Sequence, residues 1–333
     1  MRAFLLSLFF MSTLTIYSYA QYGTVKDNPI ELGKVNWLRD YDKAIALSKE
    51  ESKPIFILFQ EVPGCNTCTT YGKSVMSHPL IVEAIETYFV PLAIYNNKGG
   101  ADAQILKKYG EPSWNNPVVR IVDNQENDIV NRLNGAYTIE KVANGIADAL
   151  VKRAINIPTY LKLLIEEHDV KNLKSDYFSM YCFWSGEGKL GSLEGVVDTK
   201  AGFMDGHEVV KVTYDPAVIS AESLVSKAKD FRVAEAVYTD NKQTAYSAKD
   251  QKIKVKNLSK FRLDKEPKYQ IQRAGLAHVP MTYLQASKVN AAIYAGKNFT
   301  NFLSPRQLII AQQDPKNRNF IEQDISKVWW SSM

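Results

Sequence analysis

The stretch Ile55-Phe56-Ile57-Leu58-Phe59 restricts this chain more than any other feature. An unbroken apolar run of strand length suits a strand covered on both faces of a sheet, which requires helices on each side. Its surroundings supply them. Trp37, Leu38, Tyr41, Ala44, Ile45 and Leu47 recur at helical spacing, which predicts an amphipathic helix over Trp37 to Ser52, stopped by Lys53-Pro54. After the run, a loop from Gln60 to Gly64 leads to Cys65-Asn66-Thr67-Cys68, and helical spacing resumes. Helices are then predicted over Leu80 to Tyr88, Ala103 to Tyr109 and Thr138 to Ala154. Strands are predicted over Phe89 to Tyr95, Val118 to Val122 and Ile129 to Leu133. Helices and strands alternating in this way give an α/β class.

The chain has 333 residues, enough for about two domains. Its formal charge of +5 comes from 41 basic and 36 acidic residues with no dense Lys/Arg block, so no nucleic-acid partner is expected. Met1 and Arg2 precede an apolar run from Ala3 to about Ile16, and Ser18-Tyr19-Ala20 gives a small-x-small site before Gln21. That is the pattern of a secretory signal peptide over residues 1–20. No later segment is apolar enough to span a bilayer. The expectation is an exported protein, periplasmic or secreted, with no membrane span once the signal is removed.

Three cysteines, Cys65, Cys68 and Cys182, are too few for a disulfide scaffold and leave one unpaired within the chain. Cys65 and Cys68 follow a buried strand and open a helix. A thiol at a helix N-terminus meets the positive end of the macrodipole and free N–H groups, which favour the nucleophilic thiolate. A second cysteine one turn later can attack the resulting mixed disulfide. Half a zinc site and an inert structural disulfide are the other readings of the pair. Zinc would need two more ligands, and the remaining candidates, Cys182, His78, His168, His207 and His278, show no paired spacing. No metal and no cofactor are therefore expected.

These residues resemble the thioredoxin superfamily. Ile55 to Phe59 is similar to its central strand, Cys65-Asn66-Thr67-Cys68 to its redox motif, and Asn116-Pro117 to its cis-proline site, which makes Pro117 the cis-proline candidate. The likeness covers about residues 35–155. It departs from thioredoxin itself at Pro63-Gly64, where no Trp precedes the first cysteine, and in the Asn-Thr dipeptide between the cysteines.

A helix from about Thr159 to His168 reads as a linker over residues 156–175. From Tyr177 the pattern changes to an aromatic, strand-like stretch reaching Trp184. Ser185 to Leu193 holds three glycines and would make a poor helix on propensity alone. Val196 to Phe203 and Glu208 to Tyr214 are predicted strands, and Ser220 caps a predicted helix from Ala221 to Phe231. On its own, Cys182 in Met180-Tyr181-Cys182-Phe183-Trp184 reads as a buried cysteine among aromatics.

The blocks that follow resemble peptide methionine sulfoxide reductase A: Cys182-Phe183-Trp184, then Glu194-Gly195-Val196-Val197, Ala201 to Gly206, and Gly206-His207-Glu208 through Tyr214-Asp215-Pro216. The resemblance implies a smaller α+β domain over residues 176–250, with residues 251–333 as an extension packed on it. It implies Cys182 as the nucleophile at the sulfoxide sulfur, Phe183 and Trp184 as an apolar wall for the S-methyl group, and Glu208 as the acid that protonates the departing oxygen. Tyr246 is a weaker match to a substrate-binding tyrosine. Three departures stand out: Tyr181 replaces a glycine before the nucleophile, the loop before Glu208 is shortened, and no resolving cysteine follows Cys182.

Two functions follow. In the first, Cys182 reduces oxidised methionine in proteins or peptides, Cys65 and Cys68 regenerate it from within the chain, and an external thiol or disulfide reductant restores that pair. Tethering would raise the effective concentration of the internal encounter to about the mM range. In the alternative, the chain is a thioredoxin-like thiol–disulfide oxidoreductase whose second domain has lost catalysis and binds partners.

Overall fold

The computed structural model describes residues 28–170, 172–315 and 318–332. The expected signal peptide, residues 1–20, lies outside them. The first unit runs α1 (Tyr41–Glu51), β1 (Ile55–Gln60), α2 (Asn66–Ser74), α3 (Pro79–Tyr88), β2 (Val90–Tyr95), α4 (Ala101–Tyr109), β3 (Val118–Val122), β4 (Leu133–Asn134) and α5 (Ile139–Lys152). Its sheet has the order β2-β1-β3-β4, with β1 parallel to β2 and antiparallel to β3. Every residue of β1 is buried. Phe56 and Leu58 face one apolar cluster while Ile55, Ile57 and Phe59 face another, so the unbroken apolar run reflects burial on both faces.

The N-terminal helix starts later than its periodicity suggests. Leu38 forms a bridge with Leu92 and donates its N–H to Pro91 O, which holds residues 37–39 extended, and Asp40 then caps α1. The strand expected over Ile129 to Leu133 shrinks to Leu133–Asn134, which pair with Val119 and Val118 of β3; before them the chain touches β3 only through the isolated Asp128–Val122 bridge and the Ile129 N–H donated to Ile121 O. Helix α6 (Thr159–Asp169) is more than a linker: Tyr160, Leu161 and Leu164 are part of the first unit's main core beside α5.

The second unit runs β5 (Lys174–Ser179), α7 (Phe183–Gly191), β6 (Val196–Met204), β7 (His207–Tyr214), α8 (Ala221–Asp230), β8 (Ala236–Tyr238), α9 (Lys242–Asp250), β9 (Lys254–Lys256) and β10 (Arg262–Leu263). These strands form a mixed six-stranded sheet of order β10-β6-β7-β5-β8-β9. Strand β5 ends at Ser179, and the stretch from Phe183, which its aromatics make strand-like, is helical. The three glycines of α7 explain the discrepancy. A Cβ at Gly188 would stand 2.4 Å from the Tyr294 ring, one at Gly186 2.0 Å from Met180 Sδ, and one at Gly191 3.1 Å from the Ser287 carbonyl oxygen. Close packing of α7 against Met180 and β7 on one face and against α11 on another outweighs the intrinsic helix penalty of glycine, about 1 kcal/mol per residue.

The segment after residue 250 carries α10 (Tyr269–Arg273), α11 (Tyr283–Tyr294), α12 (Pro305–Ala311) and α13 (Ile325–Ser332). It packs on both units, not on the second alone. Helix α11 lies against α7 and β6 and also against α6. Leu303, Ile310, Ile325 and Trp329 belong to the first unit's core. At the start of α12 the Arg306 N–H donates to Glu83 Oε1 of α3 at 2.8 Å, and the Arg306 guanidinium pairs with Glu86. Among the described residues no helix is long and apolar enough to cross a membrane.

Candidate active site

Two cysteine sites are present, each at the N-terminus of a helix that follows a strand. At the first, β1 delivers the chain to a short loop and Cys65 becomes the N-cap of α2. Gly64 is required there, because a Cβ would lie 2.4 Å from Glu61 O and 2.6 Å from Cys68 Cβ. The buried Glu31 carboxylate accepts the Gly64 N–H at 2.9 Å, and Gln60 Nε2 donates to Glu31 O at 3.0 Å. Sequence reasoning missed Glu31, since a charged residue in a polar lead-in gives no signal of its burial.

Cys65 is exposed and Cys68 is buried. Their sulfurs are 3.6 Å apart, a dithiol in position to close. The backbone N–H and the thiol of Cys68 hold Cys65 below the usual cysteine value, whereas burial pushes Cys68 up to about 11. Cys68 Sγ donates to Asn116 Oδ1 at 2.8 Å, which steadies its protonated form. The Asn116–Pro117 peptide is cis, and Pro117 is buried at the start of β3. Here the sequence pointed to the proline, while the thiol contact is made by Asn116. Glu61, Cys65 and Cys68 form a group whose ligand atoms lie within 4.8 Å of one another. That is one ligand short of a closed tetrahedral zinc set.

At the second site β5 ends, Met180 and Tyr181 turn the chain, and Cys182 becomes the N-cap of α7. Cys182 is half-buried, and Tyr181 beside it is 91% exposed. The Met180 N–H donates to Glu208 O at 3.2 Å, which holds the start of β7 next to this turn. Glu208 Oε2 accepts the Phe183 N–H at 2.9 Å. Its carboxylate therefore lies at the α7 N-terminus, on the residue adjoining Cys182, where free N–H groups attract an anion. Glu208 shares a strand face with Val210, Val212 and Tyr214, all buried.

Phe183 is buried, with its ring centroid 5.6 Å from Trp184 and 5.2 Å from Phe203. Trp184 stacks on Tyr269 at 3.8 Å and 6° between planes, and its Nε1–H donates to Asp264 Oδ2 at 3.1 Å. Asp264 and Tyr269 come from the C-terminal segment and carried no motif that could have singled them out. Cys182, Phe183, Trp184 and Glu208 thus meet at one helix end. Tyr246 points to solvent from α9, 77% exposed, and no ring contact among the described residues ties it to Phe183 or Trp184.

A buried ionic cluster lies under this helix. Lys268 Nζ is 3.5 Å from Glu187 Oε1 of α7, 3.1 Å from Asp198 Oδ1 and 3.3 Å from Glu322 Oε1. Burial pushes Glu187 up to about 7 against the pull of Lys268. Burial would lower the Lys268 value, but Asp198, Glu187 and Glu322 together raise it above the lysine range.

Residues 36–124 match a family model described as thioredoxin-like. Peptide methionine sulfoxide reductase MsrA of Salmonella arizonae is 35% identical over 100 residues, covering 24% of this chain and 47% of that protein. The chain joins a thioredoxin-like domain to an MsrA-like domain. MsrA of Salmonella typhimurium is 34% identical over the same length and shares. The chain spans about half the length of the curated MsrA relatives it matches. Among solved structures, a DsbH oxidoreductase overlays with a TM-score of 0.29 and 16% identity, over 38% of this chain and 91% of that one. Methionine sulfoxide reductase A of Corynebacterium diphtheriae overlays with a TM-score of 0.23 and 22% identity, over 29% and 60%. Overlays this loose add nothing to the sequence matches. The thioredoxin-like and MsrA-like similarities together support a thiol-dependent oxidoreductase.

Proposed function

We propose that the protein is an exported methionine sulfoxide reductase that carries its own dithiol reductant. The observation that supports this most is the convergence of Cys182, the Phe183–Trp184 wall and the Glu208 carboxylate at the start of α7. In the first step Glu208 takes up the Cys182 proton and passes it to the sulfoxide oxygen, while the Cys182 sulfur attacks the sulfoxide sulfur and an S–S bond forms. The S–O bond breaks, the released hydroxide attacks the Cys182 sulfur, the S–S bond breaks to free the substrate as the sulfide, and Cys182 is left as the sulfenic acid.

In the second step Cys65, the exposed and more acidic thiol, attacks the Cys182 sulfur, and water leaves. Cys68 then attacks Cys65 Sγ and releases the Cys182 thiolate. The product is a Cys65–Cys68 disulfide, which an external thiol or disulfide reductant must restore. The asymmetry of the pair suits this order: an accessible thiol attacks first, and a buried thiol with a value near 11 resolves. The signal-like residues 1–20 support export, where methionine oxidation is expected and structural thiols are scarce.

The second reading, a thioredoxin-like oxidoreductase with a partner-binding second domain, draws on the position of Tyr246 at the surface and on the two-residue Asp205–Gly206 turn between β6 and β7. Sulfide production from N-acetylmethionine sulfoxide with dithiothreitol separates the two, because dithiothreitol bypasses the internal dithiol. Wild type is expected to produce sulfide and Cys182→Ser none. Equal production by both proteins, or none by wild type, refutes the reductase reading.

A further inference from the structure

The indole of Trp184 is fixed in two independent ways. Its plane is set by the parallel stack on Tyr269, at 3.8 Å and 6°. Its rotation within that plane is set by the hydrogen bond from Nε1 to Asp264 Oδ2 at 3.1 Å. Both partners come from the segment after residue 250, about eighty residues downstream of Cys182.

Each partner is also tied to the second unit by a link of its own. The Asp264 N–H donates to Ala201 O of β6 at 2.9 Å. Tyr269 directly follows Lys268, whose N–H donates to Glu187 Oε2 at 3.0 Å and whose ammonium pairs with Glu187 and Asp198. Glu187 lies on α7, the helix that carries Trp184. The ring on α7 and the residues that hold it are therefore clamped to one another through a buried ion pair.

We infer that Asp264 and Tyr269 are positioning residues of the sulfoxide site, holding Trp184 in the one orientation that receives a small apolar S-substituent. This rests on the reductase reading above and extends it: the C-terminal segment supplies part of the substrate wall. The physical reason is that a methyl group is recognised only by contact. A free indole would lose rotational freedom on each binding event, and a clamped one has lost it already. A prepaid orientation lowers KM and leaves the chemical step at Cys182 and Glu208 untouched.

The test uses the full chain with dithiothreitol and N-acetylmethionine sulfoxide. Tyr269→Ala and Asp264→Ala are each expected to raise KM by roughly tenfold, the scale of a lost small-group contact, with kcat within about threefold of wild type. Tyr269→Phe keeps the stack and should restore the wild-type KM. Near-ultraviolet circular dichroism gives a second readout. The band lost in Trp184→Phe should also be lost in Tyr269→Ala and kept in Tyr269→Phe. Asp264→Ala removes only a partly exposed acceptor, so it keeps the test open if Tyr269→Ala does not fold. An active wild type whose KM is unchanged in the folded variants overturns the inference, as does a fall in kcat with KM constant. A wild type that forms no sulfide overturns the reductase reading and the inference with it.

Discussion

Cys65 and Cys68 should react with alkylating agents at very different rates, and the size of the difference follows from their surroundings. In the reduced protein at pH 7, a thiol with a value of about 11 is ionised in roughly one molecule in 10,000, whereas one below 9 is ionised in at least about one in 100. Thiolate population thus favours Cys65 by about 100-fold or more. The more basic thiolate is intrinsically more nucleophilic, which returns about eightfold for a gap of two units at a Brønsted slope near 0.45. About tenfold in favour of Cys65 remains, and the burial of Cys68 adds to it. The assay is timed iodoacetamide labelling, quenched with acid and read peptide by peptide by mass spectrometry. Cys65 labelling should rise at a lower pH than that of Cys68, which should still be rising at pH 10. Labelling at equal rates, or of Cys68 first, would refute the assignment of Cys65 as attacker and Cys68 as resolver.

Three further outcomes follow from packing and charge. Gly188→Ala places a methyl group against the Tyr294 ring, where a Cβ has only 2.4 Å, and should lower stability by about 1–3 kcal/mol in urea unfolding; an unchanged midpoint would mean α7 and α11 are not held this closely. Lys268→Met leaves Glu187, Asp198 and Glu322 without the cation they share and should destabilise by about 3–5 kcal/mol, so wild-type stability would contradict the cluster. Burial raises Glu167 of α6 to about 7, and its Oε2 accepts the Leu284 N–H. The folded state therefore binds this proton more tightly than the unfolded one, and stability is lost as pH rises from about 4.5 through 7. Glu167→Gln keeps the acceptor and should gain up to about 3 kcal/mol at pH 8 and almost nothing at pH 4.5; a gain independent of pH would contradict that origin.

What could be read from the sequence depended on whether the signal was local. The β1 run and the Cys65–Cys68 spacing are contained within a few residues, and each keeps its meaning whatever lies elsewhere in the chain. The start of α1 was misread because Trp37 and Leu38 fit a helical period, yet pairing of Leu38 with Leu92 wins that stretch for the sheet. Helix α7 was obscured by glycines whose purpose is visible only once Met180, Tyr294 and Ser287 are seen against them. Asn116, Glu31, Asp264 and Tyr269 act through contacts across 33 to 85 residues of chain, and no periodicity or motif marks such contacts. The C-terminal segment illustrates this best. Its sequence is polar and weakly periodic, yet Ile271, Leu276, Leu303, Ile310 and Trp329 lie in the first unit's core while Lys268 and Tyr269 serve the second.

The central claim, that Cys182 does the chemistry and the Cys65–Cys68 pair restores it, is tested most directly by counting product without external reductant. Fully reduced protein, freed of dithiothreitol, is mixed with excess N-acetylmethionine sulfoxide and the sulfide is quantified at completion. Three thiols allow one reduction, one internal regeneration and one further reduction. Wild type should therefore yield about two equivalents of sulfide per chain, the Cys65→Ser/Cys68→Ser protein about one, and Cys182→Ser none. A yield of one equivalent from wild type, the same as from the double variant, would contradict the internal transfer.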